Sequence, residues 1–155
     1  MVVLRDMKEA DIDGYVKWFT FETEWAGKWD APWENKLNFN VGDERKSWEE
    51  RFDSTKGLEE ADRKWKFEIE VEGKRIGWVN SYYDLEDFGN SNHIIAIGID
   101  IPEAEDRNKG YGSKALSLFI DCLHSKGEKA KLHPNMVRES SHDQSHRKTR
   151  IQSKL

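Results

Sequence analysis

The chain has 155 residues, a length that suits one domain able to bury a core without metal or disulfide help. At 36% hydrophobic and 35% charged residues, with no apolar run of bilayer length and a single cysteine, Cys122, it excludes a spanning membrane protein, an internal disulfide and a multi-cysteine zinc site. The net charge of −5 is uneven: residues 131–155 hold six basic residues against Glu139 and Asp143, so residues 1–130 carry about −9, a body that disfavours nucleic acid and suits a cationic or amine partner.

The opening VVLR predicts a strand over Val2 to Arg5 with no signal for secretion, so the cytoplasm is the expected location. Lys8 to Phe19 then repeats apolar residues at Ile12, Tyr15, Val16 and Phe19, one face of a helix that Asp6 is placed to cap. Phe21 to Trp33 breaks the period and holds Trp25, Trp29 and Trp33 around Asp30 and Pro32. It reads equally as a core plug or as one wall of a ligand cleft. Asp43 to Phe52 predicts a second helix with Trp48, Arg51 and Phe52 on one side, and Lys56 to Lys64 a charged connection.

From Trp65 the period changes to two. Trp65, Phe67, Ile69 and Val71 alternate with Lys66, Glu68, Glu70 and Glu72, which predicts a strand with one wet face. A turn at Gly73 leads into a second strand, Arg75 to Tyr83, so residues 65–83 read as a hairpin. His93 to Ile101 is apolar on both faces and predicts a central strand covered by helices on both sides. Ser113 to Ser125 is the clearest helix, with Leu116, Phe119, Ile120 and Leu123 on one face and Gly127 as its stop; Cys122 falls on the apolar side and reads as a small core residue.

Between that central strand and that helix lies Arg107-Asn108-Lys109-Gly110-Tyr111-Gly112. Glycines at 110 and 112 remove side chains where a backbone wraps a phosphate, and the free amides of the helix start then point at the anion without a metal. Two glycines before a helix are weak evidence alone. Directly after an apolar strand, however, an Arg, two residues, Gly, one residue and Gly opening an amphipathic helix resembles the cofactor signature of the GNAT family of N-acetyltransferases. The order of elements over residues 1 to about 127 is similar to that family too, and LRDMKEADIDGYVKWF with WDAPWE resembles its ribosomal-protein and antibiotic-modifying branch.

The resemblance implies an α+β fold of the α/β sandwich type, with a mixed, mostly antiparallel sheet flanked by helices. It implies acetyl-coenzyme A as cofactor, no metal, and a primary amine or protein N-terminus as acceptor. Amides of Asn108, Lys109, Gly110, Tyr111, Gly112 and Ser113 are then expected on the pyrophosphate, with Arg107 and Lys109 near phosphates and the backbone of Ile99 to Ile101 along the pantetheine arm. Asp100, the one carboxylate inside the central strand, is the candidate base, against a solvent-facing residue at a strand end. Trp29, Asp30, Trp33 and Tyr82 are candidate substrate contacts, against packing aromatics and a surface Asp.

In the family a strand parallel to the central one, then a further helix and two strands, follow the cofactor helix. Here residues 131–155 read instead as an aberrant tail with almost no apolar periodicity, after an incomplete domain over 1–130. His142 and His146 have helical ligand spacing, but with His133 they lack a dependable further ligand. The genetic code offers a physical check. Met is always ATG and Val always begins with G, so Met136-Val137 read one base later gives TGG, a Trp codon. Continued from His133, the shifted frame permits TQTWSGN and, further on, EKLGF, strings that resemble this branch, which points to a one-base frameshift between about Glu128 and Leu132.

A sheet ending at the central strand would expose an apolar edge, so a homodimer or domain-swapped form is expected. Two readings compete with the enzyme. One is a non-catalytic coenzyme A-binding or interaction module. The other is an ATP-binding protein, which lacks the Lys-Ser/Thr ending of a P-loop.

Overall fold

The computed structural model describes residues 1–20, 40–58, 66–82, 94–127 and 129–132. β1 (Val2–Arg5) leads through a 3₁₀ turn (Glu9–Asp11) into α1 (Ile12–Phe19). That turn moves the helix start past Asp6. The organising carboxylate is Asp11, which accepts from the Lys8 amide at 2.7 Å and from Arg5 Nη1 at 2.7 Å. α2 (Val41–Thr55) extends beyond the expected segment because Asn40, in an extended conformation, caps it: Oδ1 accepts from the amides of Gly42 at 2.7 Å and Asp43 at 3.2 Å.

β2 (Lys66–Val71) and β3 (Lys74–Tyr82) form the expected hairpin. Its two turn residues, Glu72 and Gly73, both have positive φ, the conformation whose twist matches that of paired strands. β4 (Ile94–Asp100), α3 (Tyr111–Ser125) and β5 (Lys129–Leu132) follow, with Gly127 at φ +81° ending α3. The sheet order is β1-β2-β3-β4-β5. The first four strands are antiparallel and β5 runs parallel to β4, which gives the mixed α+β architecture expected.

β5 is a difference from the sequence reading. Four residues after α3 pair with Ile94 to Ile97, because the crossover through α3 returns the chain beside β4. The edge of β4 is therefore occupied over those residues, and the expectation of a dimer or domain swap through a bare edge loses its premise.

Each face of the sheet has its own helical cover. α3 lays Ala115, Phe119 and Leu123 on Val2, Ile69, Ile76, Val79 and Ile97, with Cys122 half-buried at the margin. On the other face α1 and α2 bring Tyr15, Val16, Trp18 and Trp48 onto Trp78 of β3. Tyr15 stacks on Trp48 with centroids 3.8 Å apart, a contact worth about 0.5–1.5 kcal/mol beyond the area it buries. These helices also overturn the expected wet face of β2: Glu68 is 0% exposed and Lys66 is half-buried, because α1 and α2 lie over the charged side of the strand. No helix among the described residues is long and apolar enough to cross a membrane.

Candidate functional site

The segment after β4 is fastened at three points before it reaches α3. Glu103 accepts from Lys17 Nζ at 2.8 Å and Trp18 Nε1 at 3.1 Å, tying α1 to the loop, and the Lys17 bond holds this carboxyl below its ordinary range against the opposing effect of burial. Lys74 Nζ donates to Asp106 Oδ2 at 2.8 Å and Glu105 Oε1 at 2.7 Å, tying β3 to the 3₁₀ turn Ala104–Asp106. Arg107 is the third fastening. Its Nε donates to the Ile101 carbonyl at 2.8 Å, its Nη2 to the Pro102 carbonyl, and its amide to the Ala104 carbonyl at 3.2 Å. The guanidinium thus clamps the loop to the end of β4.

Beyond that clamp the backbone turns left-handed twice, at Asn108 (φ 59°) and Gly110 (φ 79°). Gly110 is the N-cap of α3 and has no side chain to satisfy the first-turn amides. A Cβ on Gly110 would meet nothing within 4 Å, so its glycine is demanded by φ. At Gly112 φ makes no such demand, and a Cβ would meet only Ile101 Cδ1 at 3.5 Å and Ile99 Cδ1 at 3.6 Å, ordinary contacts. The fold itself therefore accepts a side chain there. Asn108, Lys109, Gly110 and Ser113 are exposed, while Tyr111 packs at the margin of the α3 core.

The second half of the site is the sheet face under α1 and α2. Residues directly opposed across a ladder share a face. Glu68, Trp78 and Asp100 therefore form one row and Lys66, Asn80 and Gly98 the next. Glu68 Oε1 accepts from the Tyr15 hydroxyl at 2.6 Å and Oε2 from Arg75 Nη1 at 3.1 Å. Burial raises the Glu68 carboxyl above its usual range, opposed by Lys66 and Arg75; burial and then the Glu68 charge push the Tyr15 phenol well up. Asp11 takes the opposite course: burial would raise it, but the bonds from Arg5 and the Lys8 amide hold it low. Asn80 Oδ1 is buried and accepts no hydrogen bond among the described residues.

Of the residues singled out from sequence, Ile99, Ile101, Arg107 and residues 108–113 come together at the junction of β4 and α3. Asp100 is half-buried at the strand end, across from Trp78, and not a fully solvated group. Tyr82 lies on β3 opposite Ala96. Trp29, Asp30 and Trp33 fall outside the described residues, as do the three histidines of the tail. Among the described residues no cluster of three metal-ligating side chains occurs. Sequence reading missed Tyr15, Lys66, Glu68, Arg75 and Asn80. The available signal was the amphipathic helix ending in Trp18-Phe19, whose apolar face needs a sheet face to cover.

Residues 2–152 match the model of the acetyltransferase (GNAT) domain. Among solved structures, the fold is similar to the aminoglycoside acetyltransferase AAC(6')-Ib in complex with coenzyme A, at TM-score 0.59 and 17% identity, covering 89% of this chain and 78% of that one. The same acetyltransferase in complex with coenzyme A and kanamycin gives TM-score 0.55 and 19% identity, covering 85% and 72%. An N-acetyltransferase from Staphylococcus aureus Mu50 gives TM-score 0.51 and 18% identity, covering 82% and 68%. Among curated proteins no match is found.

Proposed function

The chain belongs to the GNAT acetyltransferase family, and from that premise we propose that it moves an acetyl group from acetyl-coenzyme A to a primary amine, on a small molecule or a protein N-terminus, in the cytoplasm. One observation carries the cofactor half of this reading. Gly110 and Gly112 leave the start of α3 without a side-chain cap, directly beside Ile99 and Ile101. Amides of Asn108 to Ser113 then hold the pyrophosphate, Lys109 adds a solvent-facing positive charge, and the backbone of Ile99 to Ile101 runs beside the pantetheine arm.

When bound, acetyl-coenzyme A supplies an activated acyl carbon and a thiolate leaving group. Asp100, at the end of that strand and on the face away from α3, takes the proton of the attacking amine. On the family resemblance alone we assign the acceptor contacts to Trp29, Asp30, Trp33 and Tyr82, the first three of which lie outside the described residues. The acidic body over residues 1–130 favours a cationic acceptor, and kanamycin, the aminoglycoside in one of the similar structures, is a first amine to try.

A thermal-shift comparison of acetyl-coenzyme A, coenzyme A and ATP tests the cofactor. The first two should stabilise the chain, by about 2.7 kcal/mol at a hundred times Kd. Stabilisation by ATP alone sinks the reading. A non-catalytic coenzyme A-binding module is the second reading, favoured by the near absence of apolar periodicity in the sequence of residues 131–155. Thiol release with kanamycin, polyamines and peptides bearing free N-termini separates the two, since a module binds coenzyme A and turns over none of them.

A further inference from the structure

Lys66 stands on the same sheet face as Asp100 and is not used by the mechanism above. It opens β2, opposite Asn80, which is in turn opposite Gly98 of β4. Its side chain leans toward the neighbouring row: Nζ lies 5.3 Å from the ring centroid of Trp78, and Trp78 is directly across from Asp100.

Around the ammonium are Tyr15 of α1, Arg51 of α2, Glu68 of β2, Arg75 of β3 and Asp100 of β4. Among the described residues Nζ has no ion pair or hydrogen bond. Tyr15 and Trp48 are stacked at 3.8 Å, and Nζ is 4.3 Å from one centroid and 4.4 Å from the other. A point equidistant from two stacked rings lies beside the stack, against the ring edges, where the quadrupole does not favour a cation. Glu68, the nearest carboxylate in sequence, is engaged by Tyr15 and Arg75.

Resting on the acetyl-coenzyme A reading above, we propose that Lys66 is an internal acyl acceptor, a site at which the chain acetylates itself when no other amine occupies the acceptor face. The uncharged Nζ attacks the thioester carbonyl carbon; the N–C bond forms, the C–S bond breaks, and coenzyme A leaves as a thiolate that takes up the proton lost from nitrogen. The products are Nε-acetyl-lysine and free coenzyme A. Burial, outweighing the nearby carboxylates, pushes Lys66 down to about 8. At pH 7.5 it therefore presents roughly two-hundredfold more neutral amine than an ordinary lysine.

The test uses the full chain, incubated with acetyl-coenzyme A and no added amine and followed by intact mass and peptide mapping. One acetyl group on Lys66 is expected, accumulating at least tenfold faster than on any other lysine, saturating with acetyl-coenzyme A and suppressed by excess coenzyme A. Lys66→Arg should lose the mark and keep its thermal stabilisation by coenzyme A, which shows that the variant folds. Acetylation spread evenly over lysines, or absent from Lys66 while acetyl-coenzyme A stabilises the chain and an added amine is acetylated, overturns this proposal alone. A chain that acetyl-coenzyme A neither stabilises nor modifies overturns the cofactor reading with it.

Discussion

The hydroxyl of Tyr15 donates a 2.6 Å hydrogen bond to Glu68 Oε1, joining α1 to the middle of β2 where both side chains are fully buried. With Arg75 on the other carboxylate oxygen, this bond makes it possible for an ionisable group to sit inside the α1–α2 face. Tyr15→Phe leaves the ring stack on Trp48 in place and removes only the donor. A loss of about 1–3 kcal/mol in urea unfolding is expected. A change within error would mean that the hydroxyl contributes nothing there.

Lys66→Met should stabilise the chain at neutral pH. The folded state holds Lys66 at about 8, below its unfolded value, so the unfolded state binds more protons between about 8 and 10.5 and wild-type stability rises with pH across that window. Below it the wild type carries the full cost of a desolvated ammonium, which methionine avoids while keeping the apolar stem. Urea midpoints of the two proteins at pH 7 and pH 10 check this. The variant's advantage should shrink at the higher pH; an advantage independent of pH contradicts it.

The two loop glycines should separate fold from site. Gly110→Ala forces an L residue to φ 79° and should cost about 1–2 kcal/mol of stability. Gly112→Ala meets only ordinary contacts and should leave the melting temperature nearly unchanged. If the pyrophosphate packs against the backbone here, the added methyl group should nonetheless weaken coenzyme A at least tenfold by calorimetry. Full affinity in Gly112→Ala would remove the steric argument for this loop.

Asp100→Asn is isosteric and keeps the strand end intact. If Asp100 takes the proton of the amine, kcat in thiol release should fall by 10²–10⁴ with KM for acetyl-coenzyme A little changed. Equal loss in binding and turnover would instead assign Asp100 to holding the strand.

The reading frame beyond Glu128 is checked by sequencing the encoding DNA. A one-base shift in the region of Glu128 to Leu132 should turn the segment after β5 into an apolar strand and helix, with TGG spanning the codons of Met136 and Val137. A chain made in that frame should gain thiol-release activity over the present one. A shifted frame rich in stop codons or without apolar periodicity ends the idea.

Much of the fold was legible because its signals are local. The period of two in KFEIEV, the turn at Gly73 and the 3.6-residue period of α3 each need only neighbours in sequence to be read. The loop from Arg107 to Gly112 was legible for the same reason, since a left-handed residue and a bare helix start are properties of a few consecutive residues. Asp6 and β5 were misread because a cap depends on where a helix begins within a residue or two, and a four-residue strand has too short a period to detect.

By itself the sequence determined the order of elements, the glycine-bearing turn between β4 and α3, and the resemblance that the family match bears out. Only the tertiary structure decided which face of β2 is dry. Alternation tells a strand's two sides apart but not which of them a distant helix will cover, and α1 and α2 cover the charged one. It likewise decided that Arg107 spends its guanidinium on the carbonyls of Ile101 and Pro102, and that Lys66 lies beside a ring stack built from α1 and α2. Those outcomes rest on desolvation and on donors brought from far along the chain, and neither is visible until the sheet and its helices have packed.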